Sequence, residues 1–223
     1  MVKKNVVALA MGFGLAGGAN AQETVKIGVI VPYSGPFADA GNQLDAGIEL
    51  YIQQHGDEVA GKKIEIIRKD TGGPSPDVAK RLGQELVVRD GVDILAGFAL
   101  TPEALGAADV ATQAEKLMVV MNAATSVVTE MSPYIVRTSV TIPQVNYPFG
   151  KWAYESGVTQ AYTLVADYGP GHDAEQSFAR GFTEAGGEII GADNTPVANP
   201  DFSAYVQRVR GADPEAVYIF IPG

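Results

Sequence analysis

Apolar runs of strand length alternate with amphipathic helical patterns along almost the whole chain, and that alternation leaves few folds open. The first unit shows it best. Val25-Lys26-Ile27-Gly28-Val29-Ile30-Val31 is an apolar run of strand length. Pro32-Tyr33-Ser34-Gly35-Pro36-Phe37 cannot extend it, because proline lacks an amide proton and glycine invites a turn. From Ala38 onward, Leu44, Ile48, Tyr51 and Ile52 fall on one helical face. A strand entering a helix through a short loop opens an α/β sheet, whose ligands bind outside the strands' carboxyl ends.

The same unit recurs. Lys63–Arg68, Val92–Ala96, Leu117–Met121 and Tyr134–Thr138 read as strands. Ser75-Pro76 and Thr101-Pro102-Glu103 each read as an N-cap followed by a first-turn proline, the second opening an Ala-rich helix to about Gln113. Near-continuous apolar strands between helices imply a parallel sheet covered on both faces. Around Thr141–Pro148 two prolines and polar residues break the pattern, which suggests a crossing between lobes, with a helix near Phe149–Glu155. Gln160–Ala166 is a strand, Asp167-Tyr168-Gly169-Pro170-Gly171 a turn, and Ala174, Phe178, Phe182 and Ala185 align on a helix. Glu188–Gly191 is another strand. Asn199-Pro200-Asp201 begins a helix with Phe202, Tyr205, Val206 and Val209 on its apolar face, and Val217–Ile221 is the last strand. The expected architecture is α/β, with two doubly wound parallel-sheet lobes spanning residues 22–142 and 143–223. The second lobe, with three strands against five, is expected to be incomplete, because a buried parallel strand at Val217–Ile221 calls for helical cover and a crossover.

Residues 1–21 read as an export signal: Lys3 and Lys4, an apolar stretch from Val6 to Gly18, and Ala19-Asn20-Ala21 as a small-x-small cleavage site. Cleavage after Ala21 would place the mature chain in the periplasm. The apolar stretch is shorter than the roughly 20 residues a spanning helix needs. Losing two lysines and no acids takes the formal net charge from −10 to −12, which gives no electrostatic reason to bind nucleic acid or anionic lipid. The sequence has no cysteine, and its two histidines, His55 and His172, lie far apart, so zinc sites and Ser–His–Asp or Cys–His catalysis are not expected, nor is any cofactor. Gly169-Pro170-Gly171 lacks both the Lys-Ser/Thr of a P-loop and the glycine spacing of a dinucleotide site.

Four loops carry the candidate site: Pro32–Asp39, Gly97–Thr101 and Asn122–Ser126 on one rim, with Asp167–Gly171 opposite. They hold Ser34, Phe37, Phe98, Thr101, Ala123, Thr125 and Tyr168, a mixture of hydroxyls, free amides and aromatic faces that suits a small amphiphile. The helix starting near Thr101 favours an anion, and Glu103 close to the same start opposes one. Thr101 also reads as a plain N-cap, and Phe98 suits a core position as well as a pocket wall. Tyr168, between Asp167 and Gly-Pro-Gly at a strand end, is the residue most expected to face a ligand.

Several segments, taken in order, resemble the solute-binding proteins of ABC importers of the leucine/isoleucine/valine-binding type (type I periplasmic binding fold). They are Ile27-Gly28-Val29 with Pro32-Tyr33-Ser34-Gly35-Pro36, Asp70, Asn122-Ala123-Ala124-Thr125, Tyr168-Gly169 with Gly171, and Asp201-Phe202-Ser203. The resemblance implies a receptor, not an enzyme, that grips a small solute between hinged lobes and delivers it to a membrane permease, as a monomer. It implies that Ala123, Thr125 and the Thr101 loop hold a carboxylate, that Tyr168 closes from the second lobe, and that Phe37 borders the apolar part. The ligand expected is a small amino acid or a related carboxylate. Amino-acid binders of this family carry a serine-rich stretch where this chain has Ala99-Leu100-Thr101-Pro102-Glu103, which makes an aromatic carboxylate or an amide the rival. Family members are longer, so the chain also reads as a truncated form. A ligand-sensing module and a secreted α/β enzyme are the other readings.

Overall fold

The computed structural model describes residues 23–198 and 201–221, so the expected export signal at 1–21 and the helix start expected at Asn199-Pro200 lie outside the described residues. The first lobe contains β1 (Thr24–Val31), α1 (Ala38–His55), β2 (Glu58–Val59), β3 (Lys62–Asp70), α2 (Pro76–Glu85), β4 (Ile94–Gly97), α3 (Thr101–Gln113), β5 (Leu117–Val120) and β6 (Ile135–Arg137). The second contains α4 (Ile142–Glu155), β7 (Gln160–Ala166), α5 (Gly169–Ala185), β8 (Glu188–Thr195), α6 (Ser203–Ala212) and β9 (Ala216–Phe220). The protein is α/β, with parallel pairing dominant in both sheets.

The first sheet runs β2-β3-β1-β4-β5-β6. β1 is central, paired in parallel with β3 and β4, and this explains its unbroken apolar run. Its side chains alternate as a strand requires. Ile30 packs into the core shared with α2 and α3, whereas Val29 and Val31 join Leu44 and Ile48 of α1 on the opposite face. The sheet is not wholly parallel. Glu58–Val59 forms a short antiparallel hairpin with the start of β3, turning through Ala60 and Gly61, both at positive φ. Two residues are too few to show a period.

The second sheet runs β8-β7-β9, all parallel, over an aromatic core. Phe178 stacks on Tyr218 at 4.2 Å between centroids and on Phe182 at 5.6 Å. Helix α4 overturns the expectation of a broken segment at Thr141–Pro148. It begins at Ile142, and Thr141 and Gln144 form a capping box in which the Thr141 amide donates to Gln144 Oε1 at 2.8 Å. Pro148 sits inside the helix, which costs about 3 kcal/mol or more in isolation. Packing offsets that cost: α4 lies so close to α5 that a Cβ at Gly150 would meet Phe178 O at 2.2 Å, and one at Gly181 would meet Tyr147 O at 2.0 Å. Gly169-Pro170-Gly171 is likewise the first turn of α5, not a turn ahead of it. Helix α6 keeps its apolar pattern but buries none of it; Val206 stays 42% exposed.

Candidate functional site

The chain leaves the first sheet at Arg137 and enters the second core at Ile142, so the loop ends of β4 and β5 face the start of α5 across a narrow cleft. A cavity of about 260 Å³ occupies it. Its walls are the β4–α3 loop at Ala99, Leu100 and Thr101, the loop after β5 at Asn122, Ala123 and Ala124, and, from the second lobe, Asn146, Tyr168 and Phe220 among others. No Asp, Glu, Lys, Arg or His lines it among the described residues.

The β4–α3 loop owes its shape to two residues in left-handed backbone conformations. Gly97 has φ +104, and any side chain there would strike Ile30 O at 2.5 Å. Phe98 follows at φ 59, rare for a bulky residue. Its ring is fully buried in the first core, and its amide donates to Ile30 O at 2.7 Å. Phe98 is therefore an anchor and not a pocket wall: burying the ring turns the next three residues toward the cleft. Its carbonyl accepts the Ala123 amide at 3.0 Å, which joins the two rim loops.

Helix α3 starts at Thr101, so Leu100 and not Thr101 is the N-cap. Leucine has no acceptor for the first-turn amides. Glu103 supplies only the reciprocal half of a cap, accepting the Leu100 amide at 3.0 Å and the Thr71 hydroxyl. The Glu103 carboxyl is fully buried and lines no part of the cavity, which corrects its expected place beside the ligand. Burial pushes its pKa up to about 7 against the opposing hydrogen bonds from Thr71, Leu100 and Ala99. Thr101 is 3% exposed, and its hydroxyl pairs with that of Thr125 at 2.7 Å.

Arg137, at the end of β6, escaped the sequence reading. Its Nη1 donates to the carbonyls of Ala123 at 3.0 Å and Thr125 at 2.8 Å, and Nη2 reaches Ser126 O and Thr129 Oγ1. Burial lowers its pKa, and the Asp173 charge partly restores it. Because peptides are planar and trans, fixing those carbonyls aims the Ala124 and Ser126 amides the other way. The Ser126 amide donates to Asp173 Oδ2 of α5 at 2.8 Å, and the Ile142 amide donates to Ala124 O at 2.8 Å, so both lobes hold this loop. An arginine ending a three-residue strand carries no motif, so its role shows only once the loop is folded against it.

Of the expected residues, Thr101, Ala123 and Tyr168 line the cavity, and Thr125 stands behind Thr101. Tyr168 is half-buried as the N-cap of α5; burial raises its hydroxyl pKa, and no hydrogen bond to that hydroxyl occurs among the described residues. Ser34 and Phe37 do not line the cavity. Asp70 ties down their loop by accepting the Tyr33 amide at 2.7 Å, the Ser34 amide at 3.2 Å and the Ser34 hydroxyl at 2.6 Å. Those bonds hold the Asp70 pKa low despite desolvation, and Phe37 becomes the N-cap residue of α1. In its place the second lobe contributes Asn146, Val145 and Phe220, which the sequence reading did not single out.

A sequence profile of the family described as periplasmic binding protein matches residues 24–223. The Leu/Ile/Val-binding protein homolog 6 of Brucella abortus (strain 2308) is 44% identical over 222 residues, covering 100% of this chain and 57% of that protein. A solute-binding protein of an ABC transporter from Rhodopseudomonas palustris BisB5, solved with 3,4-dihydroxybenzoic acid, is 50% identical, with a TM-score of 0.86 over 90% of this chain and 55% of that one. Another from Rhodopseudomonas palustris HaA2, solved with p-hydroxybenzoic acid, is 41% identical, with a TM-score of 0.87 over 90% of this chain and 55% of that one. The chain thus spans a little over half the length of these relatives. With its two sheets, its interlobe cavity and a profile match across nearly all its described residues, the chain belongs to the periplasmic binding protein family.

Proposed function

We propose that this chain binds a small aromatic carboxylate in its interlobe cavity, as the solute receptor of an ABC importer that acts in the periplasm and hands its ligand to a membrane permease. The observation that carries the reading is the cavity's division into a polar rim and uncharged walls. At the rim, α3 begins without a side-chain cap on its first-turn amides, and the Arg137-held loop presents Ala123 and Ala124. A helix start stabilises an anion by about 0.3–1 kcal/mol when exposed and up to about 2 kcal/mol when partly buried. Leu100, Val145, Ile142, Phe220 and the Tyr168 ring supply apolar surface elsewhere in the wall, which suits an aromatic ring. At about 260 Å³ the cavity falls just below the usual range of ligand sites, which starts at roughly 300 Å³.

The lining among the described residues carries no charged side chain, which suits the ring of an aromatic acid. The relatives of 50% and 41% identity solved with hydroxylated benzoates also support the aromatic reading. The name of the 44% identical relative favours a second reading, a branched-chain amino acid.

Thermal unfolding with benzoates and with leucine, isoleucine and valine separates the two. A ligand that binds only the folded state at about 100 times its Kd adds about 2.7 kcal/mol, a shift of several degrees. Benzoates are expected to give that shift and the amino acids none. The reverse pattern would replace the aromatic reading with the second one.

A further inference from the structure

We propose that Asn146 reads a hydroxyl group on the ligand's ring, so that the acid held in the cleft is a hydroxylated benzoate and not benzoate itself. This rests on the aromatic-acid reading above and names the ligand class more closely.

Asn146 lies in the second turn of α4, is 9% exposed, and lines the cavity. Its amide orientation is set by two partners of opposite kind. Nδ2 donates to the Ile142 carbonyl at 3.0 Å, and a carbonyl can only accept. Oδ1 accepts the Tyr218 hydroxyl at 2.6 Å. A flipped amide would set oxygen against the Ile142 oxygen, so the network admits one orientation.

Tyr218 is itself 7% exposed and stacked on Phe178, and burial together with the charge of Glu175 raises its pKa, which keeps the hydroxyl protonated as a donor. The lock on Asn146 is therefore rigid from both sides.

The two bonds leave one Nδ2 hydrogen and one Oδ1 lone pair. A phenolic hydroxyl has the complementary set, accepting from the first and donating to the second. A ring hydrogen or methyl at the same place would satisfy neither. Three other polar side chains line the cavity: Asn122 Nδ2 donates to Ala99 O at 2.8 Å, the Thr141 hydroxyl accepts the Gln144 amide at 3.4 Å, and the Tyr168 hydroxyl has no hydrogen bond among the described residues. Among these polar groups Asn146 is the one held from two sides with a donor and an acceptor left over, so it is offered to a ligand already oriented.

The test is calorimetric titration of the chain with benzoate, 3-hydroxybenzoate, 4-hydroxybenzoate and 4-methylbenzoate. One hydroxybenzoate should bind at least about tenfold tighter than both benzoate and the methyl analogue, the size expected for two hydrogen bonds in a desolvated site. Asn146→Leu should abolish that ratio, bringing the hydroxybenzoate to within about threefold of benzoate and 4-methylbenzoate. Removing Asn146 alone unpairs the Tyr218 hydroxyl and can destabilise the lobe, so Asn146→Leu with Tyr218→Phe removes both partners and should give the same loss of preference. Equal binding of hydroxylated and plain benzoates by the wild-type chain, or a preference that survives both variants, overturns the role of Asn146 and leaves the aromatic reading intact. Failure of every benzoate to bind removes both.

Discussion

The two walls of the cleft are built on different principles. The first lobe lines the cleft with backbone: Leu100, Thr101, Ala123 and Ala124 have little side-chain chemistry, and their positions are dictated from behind by Phe98, Glu103 and Arg137. The second lobe lines it with side chains, Tyr168, Asn146 and Phe220, carried on the start of α5, on α4 and on the end of β9. Backbone amides bind a charge with little loss of side-chain entropy, but only if other residues hold the loop. Side chains match shape and can be exchanged one at a time. A change behind the first wall should therefore cost more than a change in the face of the second.

Arg137→Ala tests the strong half of that contrast. It leaves the carbonyls of Ala123 and Thr125 without their donor, and hydrogen bonds to a charged group contribute about 1.5–3 kcal/mol each. Ligand affinity should fall by at least about a hundredfold, with a lower unfolding midpoint. Titration calorimetry and thermal melting measure the two effects; near-normal affinity would show that the loop holds its shape without the clamp.

Glu103 tests the same wall by pH. Its folded pKa, about 7, lies above the unfolded carboxylate value. A carboxyl with a raised folded pKa adds stability below its unfolded pKa and loses it as pH climbs through the folded value. Urea unfolding should therefore show stability falling between pH ~5 and ~8 by on the order of 2 kcal/mol, and Glu103→Gln should flatten that slope. An unchanged slope in the variant would assign the pH dependence elsewhere.

The smallest effect is expected on the second wall. Tyr168→Ala removes a half-buried ring whose hydroxyl bonds to nothing else among the described residues, so affinity should fall about tenfold with the unfolding midpoint little changed. A loss as large as that of Arg137→Ala would erase the distinction between the walls.

Most of the architecture was legible in the residue order. β1, α1, α3 and β7 are bounded much as their patterns predict, because strand and helix periods over seven or more residues are strong signals. Helix α4 was missed at its start because Pro148 reads as a breaker; Thr141-x-x-Gln144 was the signal that could have found it. The lining of the candidate site was half legible. Thr101, Ala123 and Tyr168 follow from the rule that strand ends carry ligands, whereas Ser34 and Phe37 satisfy the same rule and were drawn off by Asp70. Asn146 and Arg137 sit at no strand-end loop of the expected rim, and no local pattern marks them.

Sequence alone determined the layers, because whether a segment forms a strand or a helix depends on the spacing of its apolar residues along the chain. Which side chains meet in the cleft was decided only in three dimensions. Arg137 reaches back to carbonyls 11 to 14 residues away, and Tyr218 locks an asparagine 72 residues earlier. Contacts of that kind arise inside each lobe, when folding brings stretches distant in the chain side by side, and no periodicity in the chain encodes them.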